Sequence, residues 1–447
     1  MFDYDEMPLR SFHVRIVIAS VGGVFSDGFG LGIIGISLGY ASPHLGLGPV
    51  WMGLLGGASL LGLFGGALLT GPAADRFGRR PIYAYNMAVL GALSVLQGFI
   101  HSAPELLTLR LAIGFLLGTD YVVSKALLTE FIPRRLRGRL LGSLSIAWAA
   151  GYVCAYVVAF ALGSAHAGEH AETWRWMLLA SAVPCLLVLP LRLAMPESPL
   201  WLVTHGRSAA AARVVCDALG ADIAPPDVPA RMPAGRGRWR QLFSPSWRRR
   251  TLVGCAFFTC QVVPYFAMGT FVSQVMSAMK LENGHLGGVI YNLALLGGAI
   301  AGLIVVDRLS RRSFLIGSFG ITAITMLMLT LWTDVPAWAL ILLFAIFASV
   351  LSAASNLVYV YLPELFPTDL RASGIGLAVA ASRTGSAAST FLLPIIVAYY
   401  GVRTSLAACV GVLALGGLIC LRWAPETRGV RLGALDQAAS RRSRDTT

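Results

Sequence analysis

Gly71-Pro-Ala-Ala-Asp75-Arg76-Phe-Gly78-Arg79-Arg80 is a short charged bridge between two long apolar segments, and its reading decides the fold. Half a chain later the pattern returns as Gly302-Leu-Ile-Val-Val-Asp307-Arg308-Leu-Ser310-Arg311-Arg312, with the acid and the three bases at the same spacing. Two further stretches repeat at nearly the same offset. Glu130-Phe-Ile-Pro133-Arg-Arg-Leu-Arg137 is echoed by Glu364-Leu-Phe-Pro367-Thr-Asp-Leu-Arg371, and Pro196-Glu197-Ser198-Pro199 by Pro425-Glu426-Thr427-Arg428-Gly429. Three matched stretches at one period imply an internal duplication.

Working outward from these bridges, the chain is apolar. It has 447 residues, of which 56% are hydrophobic and 13% charged, and its mean hydropathy is +0.71. Ordinary soluble domains carry about twice that charge. The bridges separate twelve apolar runs, at 14–39, 50–72, 82–101, 104–128, 138–163, 174–192, 250–277, 285–306, 313–332, 336–361, 372–399 and 403–423. Each is near the roughly 20 residues that a spanning helix needs. The runs are continuously apolar rather than alternating, so helix is the form that satisfies their backbone groups inside lipid. The predicted fold class is therefore an all-α membrane protein with twelve transmembrane helices in two pseudo-symmetric six-helix bundles. The expected boundaries are 1–195 for the N-terminal bundle, 196–249 for a cytoplasmic middle loop, 250–430 for the C-terminal bundle and 431–447 for a cytoplasmic tail.

The net charge of +13 raises the question of nucleic acid, but the arginines lie in short loops between apolar runs rather than in one basic domain. Arg76, Arg79 and Arg80, Arg134 to Arg139, Arg207 to Arg250, Arg308 to Arg312 and Arg441 to Arg444 fall on one side, against Arg175, Lys280 and Arg403 on the other. The positive-inside rule then places both termini and the middle loop in the cytoplasm of a bacterial inner-membrane protein. Within the middle loop, 208–219 has the pattern of a short amphipathic helix lying against the membrane face, and 224–238 reads as a flexible linker. The seven cysteines fall mostly inside apolar runs, without metal or paired spacing. His101, His166 and His170 likewise lack metal spacing, no nucleophile or phosphate loop stands out, and neither an enzyme nor a cofactor is expected.

Fixed spacing of an acid and several bases asks for more than topology. A carboxylate at a helix end can accept bonds from the N-terminal amides of a neighbouring helix while nearby arginines pair with other acids. Such contacts suit a cytoplasmic gate, here assigned to Asp75, Arg76, Arg79, Arg80, Glu130, Arg137, Asp307, Arg308, Arg311, Arg312, Glu364 and Arg371. Taken together, Asp75-Arg-Phe-Gly-Arg-Arg80 and its echo, Pro196-Glu-Ser-Pro-Leu-Trp-Leu202, Pro363-Glu-Leu-Phe-Pro-Thr368 and Pro425-Glu-Thr-Arg-Gly429 resemble the major facilitator superfamily. Within it they resemble the sugar-porter and metabolite:proton symporter branch. The resemblance implies a central cavity open alternately to each side, and gate contacts that lock the two bundles together and break as they rock about a midplane site.

Ionisable groups inside spans are functional hypotheses by default. Asp27 lies near the middle of the first run, roughly 20 Å from either end at 1.5 Å per residue. It is the leading candidate for binding and releasing a proton, against a permanently paired structural acid. Arg110 and Asp120 share the fourth run with Gly114 and Gly118, whose spacing permits close helix packing. The run resembles the family's Arg-x-x-x-Gly signature, which implicates the arginine in proton handling, and Asp120-Tyr121 matches the acid-Tyr pair of metabolite symporters. Asp120 and Lys125 point about 140° apart, so each needs a partner elsewhere. Arg383, deep in the eleventh run, calls for an anion: a substrate carboxylate, or Asp27 or Asp120.

Gln261, Tyr265, Asn292, Asn356, Trp148, Tyr152 and Tyr359 complete the candidate substrate site, each weighed against ordinary helix packing. Two departures from the family pattern stand out. Gln261-Val-Val-Pro264-Tyr265 replaces the paired glutamines of sugar porters, and Gly30 replaces the second acid of the Asp-Gly-Phe-Asp motif of aromatic-acid symporters. The expected function is proton-coupled uptake of a small organic acid or sugar- or polyol-like metabolite by alternating access. Its partners are substrate, protons and lipid, with no nucleic acid, and the transporter is expected to be a monomer. The rival readings are proton-driven drug or xenobiotic efflux, facilitated uniport and, more remotely, a nutrient sensor.

Overall fold

A computed structural model describes residues 4–165, 172–224, 226, 239–281, 284–306, 308–366 and 368–427. Its helices in chain order are α1 (Ser11–Leu45), α2 (Pro49–Phe77), α3 (Arg79–Leu96), α4 (Ala103–Phe131), α5 (Arg134–Ala165), α6 (Thr173–Ala180), α7 (Ala182–Leu193), α8 (Pro199–Thr204) and α9 (Ser208–Ala218). They continue with α10 (Trp239–Leu242), α11 (Arg248–Ala278), α12 (Gly284–Val305), α13 (Arg311–Leu331), α14 (Ala337–Ser355), α15 (Leu357–Glu364), α16 (Thr368–Tyr400) and α17 (Val402–Trp423). Eleven segments among the described residues are long and apolar enough to cross a membrane, with α6–α7 and α14–α15 each making one crossing. The twelfth is α16, 33 residues long, whose hydropathy is diluted by Ser382, Arg383, Thr384, Ser386, Ser389 and Thr390.

The chain divides into two units, Met1–Ala234 and Gly235–Thr447. In the first, α1 packs on α5, α2 on α4 and α3 on α7; in the second, α11 packs on α16, α12 on α14 and α13 on α17. The two sets correspond pair for pair, as a six-plus-six duplication requires. The α2–α4 contact shows how the sequence permits it. Cβ atoms added at Gly114 and Gly118 would run into the backbone of α2 at Ser59 and Leu63, so these glycines let two helix backbones touch.

The middle segment departs from the expected membrane-facing helix. The inward residues Ala211 and Val215 of α9 are buried, and Val215, Leu219 and Ile223 join Tyr4, Met7, Ile16, Phe131 and Ile132 in one apolar cluster. Arg10 clamps this arrangement through Asp222, at 2.5 and 2.6 Å from its two carboxylate oxygens. The apolar stripe is thus satisfied by protein of its own unit rather than by lipid. The segment expected as a linker and the tail at 431–447 lie largely or wholly outside the described residues.

Candidate functional site

The first unit carries a buried polar cluster within its helix bundle. Asp120 of α4 is 1% exposed and Arg192 of α7 is 0% exposed. The guanidinium meets the carboxylate with two bonds, Nη1 to Oδ1 and Nη2 to Oδ2, the second at 3.0 Å. Nη2 also reaches Ser124 Oγ at 3.1 Å, and Nε donates to the Ala19 carbonyl of α1 at 3.3 Å. The guanidinium lies 4.1 Å from the centroid of the Tyr83 ring, and the Asn86 amide donates to Asp120 Oδ1 at 3.5 Å. Fork-on-fork pairing of this kind is the strong form of a charge-assisted bond.

Asp27, 5% exposed, sits beside this pair, with Asp120, Arg192 and Lys125 as its charged neighbours. Its Oδ1 has no hydrogen-bond partner among the described residues. Lys125 is half-buried, its Nζ 3.3 Å from the centroid of the Tyr121 ring. The partner that Asp120 needed is Arg192, the last residue of the run expected at 174–192. Arg110 is fully buried and donates to the Gly30 carbonyl at 3.0 Å, while its Nε and Nη2 find no partner among the described residues. Trp148 and Tyr152 of α5 stack at 5.3 Å between centroids and border α1 where Gly28 packs on them.

In the second unit, Arg383 of α16 is 8% exposed and lies 6.0 and 5.8 Å from the ring centroids of Phe258 and Phe266 on α11. Tyr265 packs edge-on against Phe266. The other candidates are engaged in helix contacts. Gln261 donates to the Leu351 carbonyl at 3.0 Å, Asn292 to Gly288 at 2.8 Å and Asn356 to Ala299 at 3.1 Å. Asp307 and the side chains of Tyr359 and Arg371 lie outside the described residues.

The charged bridges form one cluster in each unit. The acids that accept from the amides at the helix N-termini are Glu197 and Glu426, which the gate assignment did not include. Glu197 takes the backbone N–H of Arg79 at 3.0 Å and of Arg80 at 3.1 Å; Glu426 takes those of Arg311 at 3.0 Å and Arg312 at 3.1 Å. Asp75 offers its carbonyl to Trp201 Nε1 at 2.9 Å and lies 3.9 Å from Arg79. Within each unit an arginine at that helix start also reaches a glutamate at the end of another helix. Arg79 pairs with Glu130 and Arg311 with Glu364, the latter at 3.7 Å. Arg137 donates to the Ile132 carbonyl at 3.0 Å, and Arg312 to that of Leu421 at 2.8 Å. Arg76 and Arg308 are exposed. The two copies differ at the bend: Gly78 adopts φ 96°, open to a residue without a side chain, whereas Ser310 keeps φ −66° and caps α13 by accepting from the Ser313 amide.

The comparisons with known proteins agree with this architecture. The family model described as "Sugar (and other) transporter" matches residues 17–439. The chain is 38% identical over 430 residues to the inner membrane metabolite transport protein YgcS of Escherichia coli, covering 96% of this chain and 95% of that protein. It is 35% identical to the putative metabolite transport protein YaaU of the same organism, with 96% of each covered. Among solved structures it is similar to the inward-open xylose transporter XylE from E. coli, at 21% identity and TM-score 0.79 over 95% of this chain and 99% of that one. The protein is a multi-pass membrane transporter of the major facilitator superfamily. It belongs to the sugar (and other) transporter family, whose members move solutes rather than transform them.

Proposed function

We propose that the chain imports a small organic metabolite together with protons, acting as a monomer with both termini in the cytoplasm. The observation that carries the coupling is a second buried acid beside a buried ion pair: Arg192 holds Asp120 in a two-point pair, and Asp27 beside it has an oxygen without a hydrogen-bond partner among the described residues. A buried acid whose charge lacks a dedicated counter-charge is where a proton is taken up and released as the environment alternates. The family and the names of the metabolite transport relatives support a small-molecule cargo. Arg383, seated between two aromatic faces on polar α16, is the group we assign to an acidic or hydrogen-bonding substrate. An organic acid or a polyol-like compound fits a site combining a guanidinium with aromatic rings.

The test is uptake by proteoliposomes containing the purified chain, with an acid-outside gradient imposed and panels of organic acids and of sugars offered. Accumulation of one class above its outside concentration supports symport. Equilibration indifferent to the gradient contradicts it, and accumulation favoured by the reverse gradient assigns efflux instead.

A further inference from the structure

The α1 face beside Arg192 is shaped for the guanidinium. Ala19 gives Nε a carbonyl, and one turn on, a Cβ added at Gly23 would collide with Nη2 and Cζ of Arg192. Another turn on is Asp27. Residues four apart lie on one helix face, so the stripe Ala19, Gly23, Asp27 runs from the arginine's anchor, through a notch that only glycine leaves open, to the second acid. The geometry points to Arg192 as the positioning residue of the proton site, a single cation shared in turn by two acids and kept within reach of Asp27 by the Gly23 notch. This rests on the proposal that Asp27 binds the transported proton.

With a proton on Asp27, Arg192 stays on Asp120, and Asp27 H, Asp120⁻ and Arg192⁺ sum to zero. When Asp27 releases its proton to water, the O–H electron pair stays on the carboxylate. The trio then carries one excess negative charge in a place with little water, and the guanidinium moves along the notch toward Asp27. The other titratable groups beside Asp27 are Lys125 from α4 and Cys185 from α7, while Tyr83 and Asn86 from α3 and Ser124 from α4 contact the Asp120–Arg192 pair. Of these only Lys125 is a second cation, and it is held at the Tyr121 ring.

A purely structural Arg192 predicts otherwise. As a dedicated partner of Asp120 it forms a neutral pair, and removing both members together leaves the titration of Asp27 in place. The experiment is an infrared difference titration of the purified protein in liposomes, following the carbonyl band of protonated carboxyl groups with no substrate added. The wild-type titrating band is expected to vanish in Asp27→Asn. In the double variant Asp120→Asn/Arg192→Gln the band's midpoint is expected to move at least about one pH unit to alkaline, because a guanidinium that has moved to Asp27 stands closer to that carboxylate than Asp120 does, and its loss outweighs the loss of the Asp120 charge. Gly23→Ala should move it the same way with both charged residues intact, and Arg192→Lys should bring it part of the way back. An unchanged midpoint in the double variant and in Gly23→Ala overturns the shared-cation proposal and leaves Arg192 structural. A titrating band that survives Asp27→Asn overturns the underlying assignment of the proton to Asp27.

Discussion

At the scale of single residues, two buried acids 93 positions apart in sequence end up as neighbours with different surroundings. Asp120 is satisfied from several sides, by Arg192, Ser124 and Asn86, whereas Asp27 keeps a carboxylate oxygen without a hydrogen-bond partner. Breaking a buried pair by deleting one partner costs about 3–5 kcal/mol because the remaining charge is stranded. Arg192→Gln is therefore expected to lower the thermal midpoint of the detergent-solubilised protein far more than Asp27→Asn. Equal destabilisation by the two would show that the cluster is not divided in this way. At Arg383, replacement by Gln keeps the size but removes the charge, and is expected to weaken binding of an acidic substrate at least about tenfold, as loss of one charge-assisted contact implies. Unaltered affinity in a binding titration would remove Arg383 from the site.

At the scale of elements, close approach of α2 and α4 depends on Gly114 and Gly118. Gly118→Val is expected to destabilise the first unit by about 1–3 kcal/mol through overpacking, read as a fall in thermal midpoint, and no fall would mean that the helices separate freely. The spans themselves were legible because a spanning helix writes its own length in apolar residues. The duplication was legible because charges at fixed spacing survive in short loops. What escaped was partnership across long separations. Arg192 meets an acid 72 positions away and sits at the last residue of an apolar run, where an arginine reads as a topology signal. Glu197 and Glu426 were visible within their motifs, yet only the folded chain brings each to a helix start more than 110 positions away. The amphipathic pattern of α9 was read correctly as helix, but a sequence cannot say whether protein or lipid covers its apolar stripe; here it is the cluster around Phe131 and Ile132.

At the scale of the whole molecule, the same device appears once in each unit: a glutamate after the sixth crossing closes the start of the third, and an arginine at that start pairs with a glutamate at the end of the fourth. A carboxylate at a helix N-terminus contributes about 0.3–2 kcal/mol depending on burial. Two copies of that size are comparable to the few kcal/mol that separate conformations of a carrier. Glu197→Gln and Glu426→Gln are each expected to slow maximal uptake severalfold with little change in the half-saturating substrate concentration, since both clusters lie away from the Asp27 and Arg383 sites in sequence and serve helix ends. A change confined to half-saturation would contradict that role.

The central claim is that Asp27 carries the proton that drives uptake, and Asp27→Asn tests it most directly. In proteoliposomes loaded with an identified substrate, the variant is expected to exchange internal for external substrate at a rate near wild type, yet to lose accumulation driven by an acid-outside gradient. Gradient-driven accumulation that persists in Asp27→Asn, at wild-type level and pH dependence, would contradict the claim.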